Sequence, residues 1–499
     1  MLRYVSLGKL AVSYDEALKR VGLDGDARLK SGIDLGSKFS TINYGRVHPT
    51  MSLSECRVAL TPVQDIDHSA RIPTIATFIQ KIDDTKNTFC ELVFGAKTQE
   101  DHAPGHKVLA MVEYFKLSLV SPAAEVPQDH QLLGMVLNLQ QKIVGQVNSV
   151  RKSVPDGKYC VRDPLTAHNN VHTLLSIRCV LREFLRFLWR SAQHHYAEAY
   201  GLRPDLVTRI FKEKADVMIA VPTGSIWENE AKDELRMLLH EAGFPKNTFI
   251  WSEPNASAMY DLLETAERQG VGIAEVSNTV EVRMVNDVGG LTTDFCGLGA
   301  SHVYNSCAVT LKEVVPGMGS FNCSQRLNEL FREYLKGQFP RGLLQLTSGF
   351  DGTEDDLLEA FERGFEKTKQ SFDGARQGYK VKPVFKCRQT PRFKDIKLPT
   401  LAITKNQMIL VASPMKKIFD DWLYPIQTML EECMSEIDSP CTIALTGGGS
   451  RPAYVLGYLK QQLERTSDAV PANEQVAVEM MASRSILPSR GAILSISHL

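Results

Sequence analysis

The chain has 499 residues, more than one hydrophobic core usually serves, so two or more compact domains are expected. A 43% hydrophobic and 23% charged composition is ordinary for a soluble globular protein. With a formal net charge of -1 and a pI near 6.9, no strong field favours nucleic acid or an anionic membrane, and neither is an expected partner. Ten cysteines are scattered with no Cys-x-x-Cys pair, which reads as reduced thiols in a cytoplasmic or nuclear setting without structural zinc. The N-terminus lacks a long apolar core segment, and nowhere do about 18 apolar residues run uninterrupted. No membrane span is expected.

In chain order, the lead-in before Gly32 reads as an extra arm or surface strand. Ser31 to Tyr44 reads as strand, glycine turn, strand, with Ile33, Leu35, Phe39, Thr41 and Ile42 suited to a partly buried hairpin. Ile72 to Ile79 is a further strand, with Pro73 near its edge or start. A helix or turn carries Tyr114 to Leu117, and Ser121 to Asn170 is punctuated by Pro, Gln and Asp without a clear period. Apolar residues at helical spacing predict a long helix from about Val171 to Tyr200; His172, His194 and His195 on it have no evident catalytic partner. Val217 to Val221 is a buried strand closed by Pro222. A helix follows from Glu228 to Ala242, then a short strand at Phe249 to Trp251 and a helix opening at Glu253-Pro254. Gly270 to Gly272 forms a joint.

From Val282 the strand-turn-strand plan recurs, an internal repeat of topology rather than of sequence. Gly317 to Ser320 is expected to begin or cap a helix running through Leu327 to Leu335. The acidic stretch Asp351 to Asp356 signals the start of a helix reaching Asp373. Arg376 to Lys397 is basic, a composition that also suits nucleic acid, and it reads better as a solvated lobe surface. Asn406 to Cys433 is largely helical, Thr442 to Leu445 is a strand, and Pro452 to Leu463 is a helix. Pro488 to Ala492 begins the final element.

Three glycine turns carry the chemistry. Met284 to Asp294 joins an apolar strand to Asp287, the pair Gly289-Gly290, Thr292 and Asp294. Paired glycines let backbone N–H groups approach a phosphate, and the two aspartates can hold a hydrated Mg²⁺. Ile33-Asp34-Leu35-Gly36-Ser37-Lys38 is a similar turn near the start, and Thr446-Gly447-Gly448-Gly449-Ser450-Arg451 a third near the end. Three such turns at this separation read as one nucleotide site closed by two lobes.

Together these units resemble the nucleotide-binding domain of the heat-shock protein 70 family, within the actin, hexokinase and heat-shock ATPase superfamily. The resemblance runs from about Gly32 onward and is closer to the atypical members, the HSPA-twelve type and its fungal relatives. It rests on Asp34-Leu35-Gly36, Asp287 to Asp294, Gly447 to Arg451, and Ser252 to Ala258 in their order and spacing. It implies an α/β, two-lobed, actin-like ATPase (ribonuclease H-like) fold with a nucleotide cleft between the lobes. Residues 1–30 would then be an N-terminal extension. Residues 31–275 would form lobe I with an inserted subdomain, 276–480 lobe II with an adenosine-binding subdomain, and 481–499 an element returning to lobe I. The chain would lack the peptide-binding sandwich and helical lid of typical members.

By the same resemblance, ATP or ADP and Mg²⁺ are the cofactors. Asp34, Asp287 and Asp294 would hold the metal through water, with Glu253 organising water or metal and Lys116 balancing charge on the phosphate. Gly36, Ser37, Lys38, Gly289, Gly290 and Thr292 would line the phosphates, with Gly319 and Ser320 near the nucleotide. Glu366 and Lys369 would touch ribose and adenine, sharing a helix face by their spacing; Gly447, Gly448, Gly449 and Arg451 would wall the base. Lys38 departs from the family's hydroxyl residue and Leu291 from its third glycine; Leu291 is expected to limit the backbone and crowd the phosphates. The leading expectation is a slow ATPase acting as a conformational switch read by a protein partner. The alternatives are a non-catalytic interaction scaffold and a small-molecule kinase, for which no sugar-site motif is found.

Overall fold

The computed structural model describes residues 12–48, 51, 61–63, 71–82, 88–95, 107–120, 130–154, 158–166, 168–174, 176–223, 227, 229–269, 282–302, 309–385, 391–404, 406–437, 441–467 and 476–481. The joint at Gly270 to Gly272, the element at Pro488 to Ala492 and nearly all of 481–499 therefore lie outside the described residues.

Where the lead-in is described, from residue 12, it holds a helix and the first four residues of the strand that follows. α1 (Tyr14–Val21) is opened by Ser13, whose hydroxyl accepts the Glu16 N–H, and closed by Gly22 in the left-handed region. Ala17, Leu18 and Val21 pack into the same core as the strands that follow. The hairpin β1 (Arg28–Asp34) and β2 (Phe39–Val47) comes next, flanked by the short β3 (Thr61–Pro62) and β4 (Ile72–Pro73). An inserted layer then begins: β5 (Ile75–Ile82), β6 (Thr88–Phe94), β7 (Lys107–Glu113), a 3-10 turn at Phe115–Leu119, α2 (His130–Ser153), β8 (Lys158–Arg162) and β9 (Asn169–Thr173). Its five strands form their own sheet in the order β7-β5-β6-β8-β9. Val171 thus belongs to a strand paired with β8, and the long helix α3 (Ile177–Tyr200) starts six residues later than its apolar period suggests.

After α3, α4 (Pro204–Lys214) feeds β10 (Ala215–Val221), α5 (Asn229–Ala242) feeds β11 (Thr248–Ser252), and α6 (Glu253–Gln269) follows without a break. β10 is buried at every position and lies parallel to both β1 and β11, as expected of a central strand covered on two faces. The first sheet has the order β11-β10-β1-β2-β3, with β4 also on β2.

The second half repeats this plan. β12 (Val282–Val288), β13 (Thr293–His302) and β14 (Val309–Ser320) form a meander. Gly317 to Ser320 end this last strand; they do not start a helix. Gly317 lies where the two halves meet: a Cβ on it would stand 2.3 Å from Thr223 Oγ1, the kind of close approach that places glycine inside a strand. α7 (Ser324–Gln338), the short β15 (Thr347–Ser348) and α8 (Glu354–Gln370) follow. Thr353 and Asp356 form a reciprocal capping box at the start of α8. β17 (Arg392–Phe393) pairs with β15, while β16 (Gly378–Val381), β18 (Ile396–Lys397), β19 (Leu401–Thr404) and β20 (Gln407–Val411) build a small sheet in the order β16-β20-β19-β18. The region after Asn406 is a strand before it becomes helix α9 (Ala412–Ser435). β21 (Cys441–Thr446), α10 (Ala453–Ser467) and β22 (Val476–Met480) complete the second sheet, in the order β14-β13-β12-β21-β22.

The two large sheets share one plan: a central strand, two antiparallel strands on one side and two parallel strands on the other. Their hairpins match residue for residue. Asp34 pairs with Thr41 and Asp287 with Asp294. Each turn carries a glycine two residues after its first aspartate. A Cβ on Gly36 would stand 2.0 Å from Phe39 O, and one on Gly289 would stand 2.8 Å from Thr292 O. Overpacking of this kind costs about 1–3 kcal/mol. Gly36→Ala and Gly289→Ala should both lower stability in urea titration, with Gly36→Ala the more damaging; equal or negligible losses would contradict this turn geometry.

Candidate functional site

The facing ends of the two sheets bring five of the sequence-selected side chains together. Asp34 ends β1, Asp287 sits one residue before the end of β12, and Asp294 lies opposite it on β13. Glu253 opens α6, whose first turns lie between the sheets, and Lys116 comes from the 3-10 turn of the inserted layer. Lys116 is 4% exposed. Its ammonium donates to Leu35 O at 2.6 Å and to Glu253 Oε1 at 3.1 Å, and lies 5.2 Å from the centre of the Trp227 ring. One cation thus ties the first glycine turn to the start of α6.

Four carboxyls around one ammonium leave an excess of negative charge in a dry space. Burial, then the neighbouring Glu253, holds Asp34 well above the usual carboxylate range. Burial, then Glu253 and Asp294, does the same to Asp287. Glu253 is also raised by burial, with Lys116 opposing. Asp294 is pushed up to about 8 by burial first and Glu253 second, although the Thr223 N–H, at 2.7 Å from its Oδ1, and the Thr292 hydroxyl favour its ionised form. Such a group holds protons or a cation more readily than an exposed carboxylate does. Among the described residues no three His, Cys, Asp or Glu side chains come close enough to hold a metal ion directly.

The second turn is braced from below. Gly289 N–H donates to Thr292 O, while Gly289 O and Gly290 O accept the Ser324 and Gln325 N–H groups at the start of α7. Leu291 is buried with Phe321 and Cys323 in the first core, tying the second turn to the first half. Gly319 pairs with Asp294 and Ser320 with Thr293 at the end of β14.

The third turn abuts the second. Gly447 has φ +82°, and a Cβ on it would stand 2.4 Å from Asp287 Oδ1. Gly449 N–H donates to Val288 O at 2.8 Å. Gly448 faces open space, with no atom within 4 Å of a Cβ built there. Gln370 Nε2 reaches its carbonyl at 3.3 Å. Arg451 follows, partly buried.

Glu366 and Lys369 share the inward face of α8, and both are engaged by protein groups. Lys369, almost wholly buried, donates to Ser324 O, Asn328 Oδ1 and Glu366 Oε1. Burial pushes Lys369 down to about 8. Glu366 is pushed up by burial, but Lys369 and Lys38 more than offset this and hold it at about 2. Lys38 Nζ reaches Glu366 Oε1 at 2.5 Å from the first turn, while Ser37 lies beside Gly290.

Sequence reasoning passed over Thr223, Trp227 and Asn328. Thr223 had a signal: Thr-Gly-Ser follows a buried strand at the place in the first half where Gly447 to Ser450 stand in the second. Trp227 and Asn328 have none, because their roles come from packing across distant segments. Of the histidines, His195 Nδ1 pairs with the Tyr44 hydroxyl at 2.8 Å and His172 lies near Glu183, both away from this cluster.

Among the described residues no helix is long and apolar enough to cross a membrane. A family profile described as "Domain of unknown function (DUF8340)" matches residues 277–474, and its companion, the DUF8340 N-terminal domain, matches residues 24–262. Only residues 1–23, 263–276 and 475–499 fall outside the pair, and the chain belongs to this family. No curated protein matches it.

The raised Asp294 carboxyl gives a signed expectation. The folded form keeps its proton up to about pH 8, whereas an unfolded chain releases it near pH 4. Between those limits the folded state binds more protons, so this group's contribution to stability falls as pH rises. Asp294→Asn should therefore raise Tm relative to wild type by more at about pH 8 than at about pH 5, read by scanning calorimetry. An equal change at both would remove Asp294 as the source.

Proposed function

We propose that the chain is an ATP-binding, slowly Mg²⁺-dependent ATP-hydrolysing switch on a two-lobed actin-like (ribonuclease H-like) fold. Each lobe is built on one of the two sheets of like order, with the nucleotide between them. One observation carries the reading. Two matched hairpins bring Asp34 and Asp287 to a single buried Lys116–Glu253 pair, with a third glycine turn against Asp287. The two profile matches leave 263–276 between them, and the joint expected at Gly270 to Gly272 falls in that gap.

Phosphoryl transfer to water is mostly positioning and charge neutralisation. Mg²⁺ would neutralise phosphate charge. Backbone amides of the turns at Gly36 and at Gly289-Gly290 would face the phosphates. Asp34 and Asp287 would approach the hydrated metal from opposite lobes. Asp294, oriented by the Thr223 N–H, would complete that water shell or hold the attacking water, with Glu253 as its neighbour and Lys116 offsetting the negative charge. The open side of Gly448 would face the base. A protein partner would read the lobe movement that nucleotide favours.

A second reading, a non-catalytic interaction scaffold on the same fold, draws on one observation: Lys369 and Glu366 are engaged by protein groups.

Calorimetric titration of the nucleotide-free chain with ATP and ADP, with and without Mg²⁺, tests the proposal. Saturable binding is expected. Asp287→Ala should weaken it by about tenfold or more, the scale of a lost charged contact. Gly448→Trp should do the same while leaving Tm close to wild type, because that position faces open space. Folded wild-type chain that binds neither nucleotide would sink the ATP reading and leave the scaffold.

A further inference from the structure

Lys38 joins the two halves at their phosphate-turn ends. It leaves the turn between β1 and β2, and its stem crosses Gly290 of the matching turn: a Cβ on Gly290 would stand 3.3 Å from Lys38 Cγ. Its ammonium ends 2.5 Å from Glu366 Oε1 on α8. The Lys38 and Glu366 side chains are 27% and 30% exposed, so solvent and small anions can reach them.

The pair is asymmetric. Glu366 Oε1 also receives Lys369 Nζ at 2.7 Å and Asn328 Nδ2 at 2.5 Å. If Lys38 leaves, Glu366 keeps two donors, one of them a buried cation. Lys369 is fixed by two further acceptors, Ser324 O and Asn328 Oδ1, and has no such freedom. Lys38 is the mobile member: a long, flexible side chain with a compact charge that follows whichever anion is nearer.

We infer that Lys38 is a phosphate-responsive latch and sets the site's preference for polyphosphate. Without an anion between the turns it holds Glu366 and bridges the halves; a phosphoanion seated against Gly289-Gly290 takes its ammonium and leaves Glu366 to Lys369 and Asn328. This deepens the nucleotide-site reading and rests on it. The bridge is exchanged, not lost, because the anion contacts Lys38 on one side and the second turn on the other. Glu366 is therefore a built-in competitor of phosphate. A purely structural ion pair would not behave this way.

The distinguishing experiment is calorimetry on the full chain without Mg²⁺, using inorganic tripolyphosphate and, separately, ATP. Lys38→Met should weaken tripolyphosphate about tenfold or more, as for loss of a charged contact. Glu366→Gln keeps the side chain's shape and removes the competing charge; it should strengthen tripolyphosphate about threefold, the scale of a part-exposed ion pair. The double variant should resemble Lys38→Met. Binding of tripolyphosphate to Glu366→Gln but not to wild type would also support the latch. ATP binding by wild type with no gain in tripolyphosphate affinity from Glu366→Gln would overturn the latch and leave the nucleotide reading standing. Folded wild type and Glu366→Gln that bind neither probe would overturn both. Should Glu366→Gln fail to fold, Glu366→Asp, which shortens the reach to Lys38, is judged by the same gain.

Discussion

Four carboxyl groups share a buried space with one lysine ammonium, and the centre of the molecule is arranged around that imbalance. Each acid alone would be an unfavourable burial; together they repel, which is why Asp34, Asp287 and Asp294 resist ionisation. The fold tolerates the cluster because rigid strand ends hold it. Asp287 and Asp294 are opposed by β-pairing, Asp294 is anchored by the Thr223 amide, and Lys116 spans from Leu35 O to Glu253. A space that disfavours uncompensated negative charge rewards a cation or a proton. The metal-dependent reading of the site grows from this electrostatic state more than from any single residue.

Much of the frame was legible in the sequence where the local signal was strong. Both strand-turn-strand units, the buried strand ending at Pro222 and the helix opening at Glu253 carry their own punctuation and lie where it places them. Elements were misread where two local signals compete. Gly317 to Ser320 resemble a helix cap until Thr223 is seen packed against Gly317, and Val171 continues a helical period yet pairs with β8. The lead-in helix is short, but Ser13 with Glu16 and the closing Gly22 were readable capping signals.

The candidate site was legible as a set of residues but not as a set of contacts. Asp34, Lys116, Glu253 and the Asp287–Asp294 pair come from four separate stretches, and no periodicity reports that one lysine touches two of those stretches. Leu291 shows the limit well. As a residue among glycines it suggests a crowded turn; in the fold its side chain is buried with Phe321 and Cys323 in the core of the other half. Glu366 and Lys369 share a helix face, as their spacing implies, yet their partners Lys38, Asn328 and Ser324 are visible only in three dimensions. Such side-chain networks join segments that sequence spacing treats as unrelated.

The insertion between β4 and β10 has a consequence for how the chain is made. Leu29 pairs with Ala215, so the central strand of the first sheet has no parallel neighbour until the whole inserted layer and two long helices have been synthesised. The second sheet repeats the delay, since Val282 waits for Cys441. Non-local pairing of this kind slows folding and leaves strand edges open for a time on a growing chain. The β1–β2 hairpin, with its apolar Ile33 and Ile42, would be exposed longest on the ribosome. Each half therefore completes its sheet only near its own C-terminal end, and the carboxylate cluster cannot assemble until most of both halves exist.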